Sequence, residues 1–185
     1  MKKTLLIALV FFINSYVFCQ ENEDNSSKIS HFFTQFDVSI PFKGNPNRNE
    51  TYVNGQENTN KNWFVPDGIN AKIGYGIQEN RWIGLSLHIG IDWKATEKLV
   101  AVPVFANLRL STSVGNNLRL TSQVGYGKGF AIGRGNLSGA YKKISLGIET
   151  EDDLIIFAEL SNYDIVVKKF ESVSSFSIGI ALRTF

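Results

Sequence analysis

Ser86 and His88 are the pair whose types and spacing best suit chemistry. Two positions apart in an extended segment, they share a face, so the imidazole can reach the hydroxyl and serve as base to a serine nucleophile. Such a site needs an acidic third member to orient the imidazole, and the sequence identifies none. The plainer reading is a polar core histidine beside a small serine. His31 and His88 are not spaced as metal ligands with any nearby carboxylate pair, so no metal site is indicated. Gly125-Tyr126-Gly127-Lys128-Gly129 and Gly133-Arg134-Gly135 have the composition of phosphate loops, but no helix follows either. They read as small residues at a curved strand and in a flexible loop. Lys168-Lys169 suits lipid phosphates and a solvated loop tip equally well. No catalytic, cofactor-binding or metal-binding residue is assigned, and no cofactor is called for.

The segments that position these residues begin after a leader. Lys2 and Lys3 precede the apolar run 4–18, and Val17 and Cys19 are small enough for a cleavage site. Residues 1–19 therefore read as a secretory signal peptide, leaving Gln20 as the first mature residue. The run is too short for a spanning anchor. Tyr16 and Phe18 are poor neighbours for lipidation of Cys19. Cys19 is the only cysteine, so the mature chain is expected to have no disulfide, thiolate nucleophile or cysteine metal site. Losing Lys2 and Lys3 leaves as many cationic as anionic side chains, 17 of each, and no nucleic-acid partner is read from charge. Residues 20–30 are acidic, then polar, and read as a flexible leader.

From residue 31 the hydrophobic period is two. Segments 31–42, 68–78, 82–93, 100–112, 118–130, 141–149, 154–162 and 173–185 each alternate apolar with small or polar residues. The clearest sets Ile83, Leu85, Leu87, Ile89, Ile91 and Trp93 against Gly84, Ser86, His88, Gly90 and Asp92. The connections 43–67, 94–99, 131–140 and 163–172 are longer than the intervening turns 79–81, 113–117 and 150–153. Gly115-Asn116-Asn117 and Glu151-Asp152-Asp153 suit tight reversals. The stretch 43–67 is asparagine-rich, with no assignable structure. Pro103 marks a ladder defect or a bulge.

Eight such strands match either a soluble lipocalin-like barrel, apolar face inward, or a membrane barrel, apolar face outward. Volume favours the second. An eight-stranded barrel holds only enough space for its own side chains, and this many Ile, Leu, Val and Phe residues would overfill it. The opposite face carries Gly74, Gly76, Gly84, Ser86, Gly90, Gly125, Gly127, Gly147, Ser177 and Gly179, which suit a narrow interior. The chain therefore reads as an all-β, eight-stranded antiparallel up-and-down transmembrane β-barrel spanning residues 31–185. Phe42, Trp63, Trp93, Phe130, Tyr141 and Tyr163 are expected at the outer rim, and Phe32, Trp82 and Phe185 at the inner. The inward charges are expected to be Asp37, Lys72, Asp92, Arg109, Arg119, Lys143, Glu149, Glu159 and Arg183. Glu149 is expected between Arg109, Arg119 and Arg183, with Glu159 as a second candidate, plugging the lumen.

The signal segment, the stretch Val102-Pro103-Val104-Phe105-Ala106-Asn107-Leu108-Arg109 and the terminal strand Phe176–Phe185 together resemble the small outer-membrane β-barrel proteins of OmpA/OmpX type. Phe185 is similar to the terminal aromatic by which such barrels are recognised for insertion. One departure is that Phe176, Ile178, Ile180 and Leu182 run out of phase with Phe185: either a bulge near Arg183 restores the phase, or the terminal signal is weak here. The resemblance implies the outer membrane of a Gram-negative bacterium, with both termini periplasmic. It also implies contact with outer-membrane lipid and lipopolysaccharide, and with the insertion machinery during biogenesis. The function expected is that of a non-enzymatic barrel acting through external loops or as an envelope component, with 43–67 available to an extracellular ligand. The alternatives are a lipid A-modifying barrel enzyme using Ser86 and His88, and a soluble periplasmic lipocalin-like carrier.

Overall fold

A strand with one apolar and one polar face can bury its backbone polar groups in lipid only if the sheet closes on itself. The computed structural model describes residues 31–45, 48–49, 52–53, 56–57, 62–114, 117–133, 137–168 and 171–185. Residues 1–19, expected as a signal peptide, and 20–30, expected as a leader, lie outside these residues. Eight long antiparallel strands run in chain order: β1 (Phe32–Gly44), β5 (Gly68–Glu79), β6 (Ile83–Lys94), β7 (Leu99–Ser113), β8 (Leu118–Ile132), β9 (Ser138–Thr150), β10 (Leu154–Lys168) and β11 (Glu171–Thr184). Each pairs with its sequence neighbour, and β11 pairs with β1 to close the barrel.

The ladder fixes the geometry. Direct pairing leads from Phe32 through Ile77, Leu85, Leu108, Val124, Ile144, Leu160 and Phe176 back to β1 at Phe42, a stagger of ten residues. With about 3.3 Å per residue and about 4.8 Å between strands, that stagger tilts the strands by about 40°. Every residue on this path is apolar and faces outward, so the exterior is a continuous apolar wall. Leu87, mid-strand, is 71 % exposed, while its neighbours Ser86 and His88 are buried. On β6 the outward set runs from Ile83 to Trp93. At about 2.5 Å of height per tilted residue this makes a belt of about 25 Å, the height of a bilayer's apolar band. A soluble carrier of apolar ligands would have these faces reversed.

One end has tight turns. Asn80 and Arg81, with φ of 49° and 58°, form a two-residue reversal of the kind that matches strand twist. Asp153, with φ of 59°, turns β9 into β10, and its N–H donates to the Thr150 carbonyl (3.2 Å). Of the reversal expected at residues 115–117, Gly115 and Asn116 lie outside the described residues. The other end is open and uneven, and here the structure extends the sequence reading. The stretch 43–67 contains a short ribbon, β2 (Tyr52–Val53) with β3 (Gln56–Glu57), and β4 (Phe64–Pro66), which pairs with the end of β1. β4 continues the line of β5 through a bulge at Asp67 and Gly68. Gly68 has φ +141°, and a side chain there would collide with the Trp93 carbonyl. The expected loop 163–172 is mostly strand, since β10 continues to Lys168 and β11 starts at Glu171. Above the belt the outward residues become polar (Asn162, Asp164), so an apolar alternation no longer marks the strand, although the backbone pairing persists.

Pro103 breaks the ladder without a bulge. Ile89 pairs with Val104 and Asp92 with Ala101 in one register, and only the rungs between are missing. Proline has no N–H to contribute there. Of the two alternatives at the last strand, the bulge near Arg183 is absent: the register with β1 runs unbroken through Gln35–Arg183 and Thr34–Thr184. Phe185 therefore keeps the inward parity. Its ring lies 4.7 Å from both the Arg81 and Arg183 guanidinium carbons.

Candidate functional site

The inward positions of the eight strands stack into layers that fill the lumen. At the tight-turn end Glu149 on β9 bridges Arg109 on β7 and Arg183 on β11. Arg109 Nη1 donates to Glu149 Oε2 (3.3 Å) and to Ser111 Oγ (2.9 Å), and its Nη2 to Gln78 Oε1 (2.8 Å). Arg183 Nη2 bonds Glu149 Oε1 and also donates to Asp153 Oδ1 (3.0 Å). Thr121 Oγ1 donates to Glu149 Oε2 (3.1 Å), and Arg81 pairs with Asp153 (2.6 Å). The Phe33 ring lies 5.4 and 5.9 Å from the Arg109 and Arg183 guanidinium carbons.

The middle layer is mostly uncharged. Gln35 Nε2 donates to Asp37 Oδ1 (2.7 Å), and Asn107 Nδ2 donates to Gln123 Oε1 (2.9 Å). Ser86 Oγ and His88 Nε2 are 2.9 Å apart, and the imidazole stacks on Phe105 with ring centres 5.1 Å apart. The ring lies against Gly74, where any side chain would overlap it. The acidic partner that the sequence leaves unidentified is present: Asp37 Oδ2, from β1, stands 3.9 Å from His88 Nδ1. That gap exceeds a hydrogen bond, so the acid faces the imidazole without orienting it. All three residues are buried in the lumen, on the face away from lipid.

Toward the open end Glu159 on β10 bridges two lysines. Lys72 Nζ donates to Oε1 (2.5 Å) and Lys143 Nζ to Oε2 (3.0 Å). Asp92 stands 4.0 Å from Lys72 and accepts the Tyr163 hydroxyl (2.6 Å). Phe105, Tyr141 and Tyr163 form a tilted aromatic stack, with centres 4.9 and 4.7 Å apart. Above it Leu99, Ala131, Ile165 and Val173 close the lumen with an apolar cap. Lys94 bonds Ser175 Oγ. Asp67 Oδ1 receives the Thr96 N–H (2.8 Å) and hydroxyl (2.5 Å), pinning the 94–99 turn to the β4–β5 joint.

Of the nine charges expected inside, eight are buried there and Arg119 is half-buried. The expected arginine–glutamate cluster forms around Glu149 with Arg109 and Arg183, but two of its named members are elsewhere. Arg119 Nη2 donates to the Arg81 carbonyl (2.9 Å) rather than to an acid. Glu159 belongs to the lysine cluster, because its place on β10 sets it several residues nearer the open end than Glu149. Tyr141 and Tyr163 correct the rim assignment. Both are fully buried in the lumen, because they share the parity of Lys143 and Ser161, not of the lipid-facing Ile144 and Leu160. Of the other aromatics of that assignment, Phe32, Trp63, Trp82, Trp93 and Phe130 are exposed, Phe42 is half-buried, and Phe185 has the inward parity described above. Lys94 and Asp67 are inward groups that the sequence reading missed. Lys94 lies one alternation beyond Asp92, and that parity was the available signal. Of the two glycine-rich stretches, 125–129 is curved strand in β8, while residues 134–136 and Lys169 lie outside the described residues.

No family model matches this chain, and no curated protein sequence does. Solved structures resemble it in fold. Neisserial surface protein A superposes with a TM-score of 0.54 at 10 % identity, covering 83 % of this chain and 97 % of that one. The outer membrane protein Ail of Yersinia pestis, in a phospholipid bilayer nanodisc, gives 0.44 at 14 % identity over 81 % of this chain and 99 % of that one. A de novo designed transmembrane β-barrel gives 0.44 at 12 % identity, over 86 % and 100 %. With its closed eight-stranded meander, lipid-facing wall and polar lumen, the chain has the fold of the small outer-membrane β-barrels of OmpA/OmpX type.

Proposed function

We propose that the mature chain is a non-enzymatic outer-membrane β-barrel of a Gram-negative cell, acting through the connections at its open end or as an envelope component. The observation that carries this reading is the pairing of a continuous apolar exterior with a lumen filled from end to end by its own side chains. Such a molecule has its surface, and no bore, with which to act. In this reading residues 1–19 are removed as a signal peptide, 20–30 form a periplasmic leader, and the tight turns and both termini face the periplasm. The connections 43–67, 94–99, 131–140 and the β10–β11 tip face outward. Outer-membrane lipid and lipopolysaccharide surround the belt, the insertion machinery handles the chain during biogenesis, and 43–67 is the segment offered to an extracellular ligand. Protease added to intact cells is expected to cut within 43–67. Cleavage only after the outer membrane is opened would invert the topology. Intact-mass analysis is expected to show a chain beginning at Gln20; a mass retaining an acylated Cys19 would contradict the processing.

A second reading has an observation behind it: Ser86, His88 and Asp37 lie in hydrolase order, with spacings of 2.9 and 3.9 Å. We rank it below the first because the serine is sealed in the lumen, out of reach of lipid. Turnover of radiolabelled lipid A by the purified barrel, abolished in Ser86→Ala, would reverse the ranking.

A further inference from the structure

The apolar exterior is not equally tall on all sides. On β6 the outward set stays apolar from Ile83 to Trp93, but on β9 it ends at Ile144, and the next outward residue is Lys142. With about 2.5 Å of height per residue and about 3 Å per step between strands, Ile91 and Lys142 both stand about 20 Å above the level of Phe32. Lys128 of β8 faces outward at nearly the same height. It is diagonal to Lys142, since Tyr126 pairs with Lys142 and Lys128 with Ala140. On the opposite side this level is held by exposed Ile69, Ile91 and Val104.

A cation in the apolar band is costly unless it reaches polar surroundings. Lys142 Nζ donates to Asp164 Oδ2 (2.9 Å), yet the two side chains keep 54 % and 42 % of their surface open to the exterior. Lys128 Nζ lies 5.5 Å from the Phe130 ring centre, and no carboxylate among the described residues pairs with it. The described charges on the upper exterior of β8–β11 are therefore two cations against one anion. Directly below them the wall is apolar and exposed at Val124, Ile144 and Leu160.

We propose that this sector seats one net-anionic, phosphate-bearing lipid, its phosphate between Lys128 and Lys142 and its chains against Val124, Ile144 and Leu160. Diagonal neighbours on adjacent strands are close enough for two long side chains to share one phosphate. The surplus positive charge selects an anion, and the apolar wall beneath it selects one that carries hydrocarbon. The headgroup is drawn below the level at which lipids meet the β5–β7 side. The site rests on the membrane placement proposed above and names the chemistry of the lipid that meets it there.

The test uses two single-tryptophan versions of the full mature chain in phosphatidylcholine vesicles, with Trp63, Trp82 and Trp93 replaced by Phe in both. One carries Tyr126→Trp, beside the lysines, and the other Ile91→Trp, at the height of Lys142 on the apolar side. Quenching by chain-brominated phosphatidylglycerol, compared with chain-brominated phosphatidylcholine, gives the relative binding of the two lipids beside each reporter. Phosphatidylglycerol is expected to be preferred several-fold at position 126 and hardly at position 91. Lys128→Gln is expected to remove most of that preference, one lysine beside anionic lipid being worth about fivefold. Asp164→Asn is expected to raise it, because Lys142 loses its competing partner. Equal preference at the two reporters, or a preference unchanged by Lys128→Gln, would overturn the proposal. Insertion is read separately from the shift in gel mobility on heating. A chain that does not insert would overturn the membrane placement and the site with it, whereas an inserted barrel without the preference would overturn the site alone.

Discussion

Two glutamates in this lumen each bridge a pair of cations, and they differ in how much else supports those cations. At the tight-turn end Arg109 reaches Glu149, Ser111 and Gln78, and Arg183 reaches Glu149 and Asp153. Toward the open end, among the described residues, Lys143 has Glu159 as its ion-pair partner, and Lys72 adds Asp92 at 4.0 Å. A guanidinium spreads its donors over several acceptors, whereas an ammonium is a point charge that leans on one. Aromatic rings, with Phe105 5.3 Å from Lys143 Nζ and Tyr141 5.6 Å from Lys72 Nζ, supply much of the remaining surroundings. A carboxylate's importance to a buried cation thus depends on how many other acceptors that cation can reach.

The largest expected effect is therefore at Glu159. Glu159→Gln removes the ion-pair partner of the buried Lys143, leaving the more distant Asp37 as the carboxyl that faces it, and we expect a loss of about 3–5 kcal/mol in urea unfolding of the barrel in lipid vesicles. Adding Lys143→Met should recover much of that loss, since a buried pair replaced by apolar groups is often neutral. If the double variant is no better than the single, the ion-pair account of this layer is wrong. Leu87→Arg provides a scale from the other side of the wall. It puts a charge into mid-belt lipid and is expected to cost about 2–4 kcal/mol in the same assay. A negligible cost would mean that the faces are assigned backwards.

Glu149→Gln should be milder than Glu159→Gln, about 1–3 kcal/mol, because Asp153, Gln78 and Ser111 still hold the arginines. A larger loss than in Glu159→Gln would break the comparison. The smallest effect is expected at Ser86→Ala, about 1 kcal/mol or less, the value of its hydrogen bond to His88.

These layers were unevenly legible in the sequence. Strand count, facing and the inward charges followed from a period of two, which carries the side of every residue. Height along the barrel did not follow, because the ten-residue stagger is a property of the closed ladder. Glu149 and Glu159 are ten apart in sequence, yet lie in different layers, so Glu159 could not be allotted to its cluster. Asp37 escaped notice as His88's neighbour for a related reason: β1 and β6 are not paired but flank β5, and their side chains meet over Gly74 on its inward face. Tyr141 and Tyr163 were a different kind of error. Their parity was available, but their position near strand ends and their aromatic type suggested a rim. Strand ends above the belt were lost because the outward pattern there is polar.

The central claim is that these two ionic clusters and the layers between them plug the lumen, and single-channel recording in planar bilayers tests it most directly. The purified barrel should show no steady open-channel steps over the voltage range that the bilayer withstands. Reproducible steps in the wild-type protein, with an amplitude that changes in Glu159→Gln, would contradict the account and make the polar lumen a conducting path.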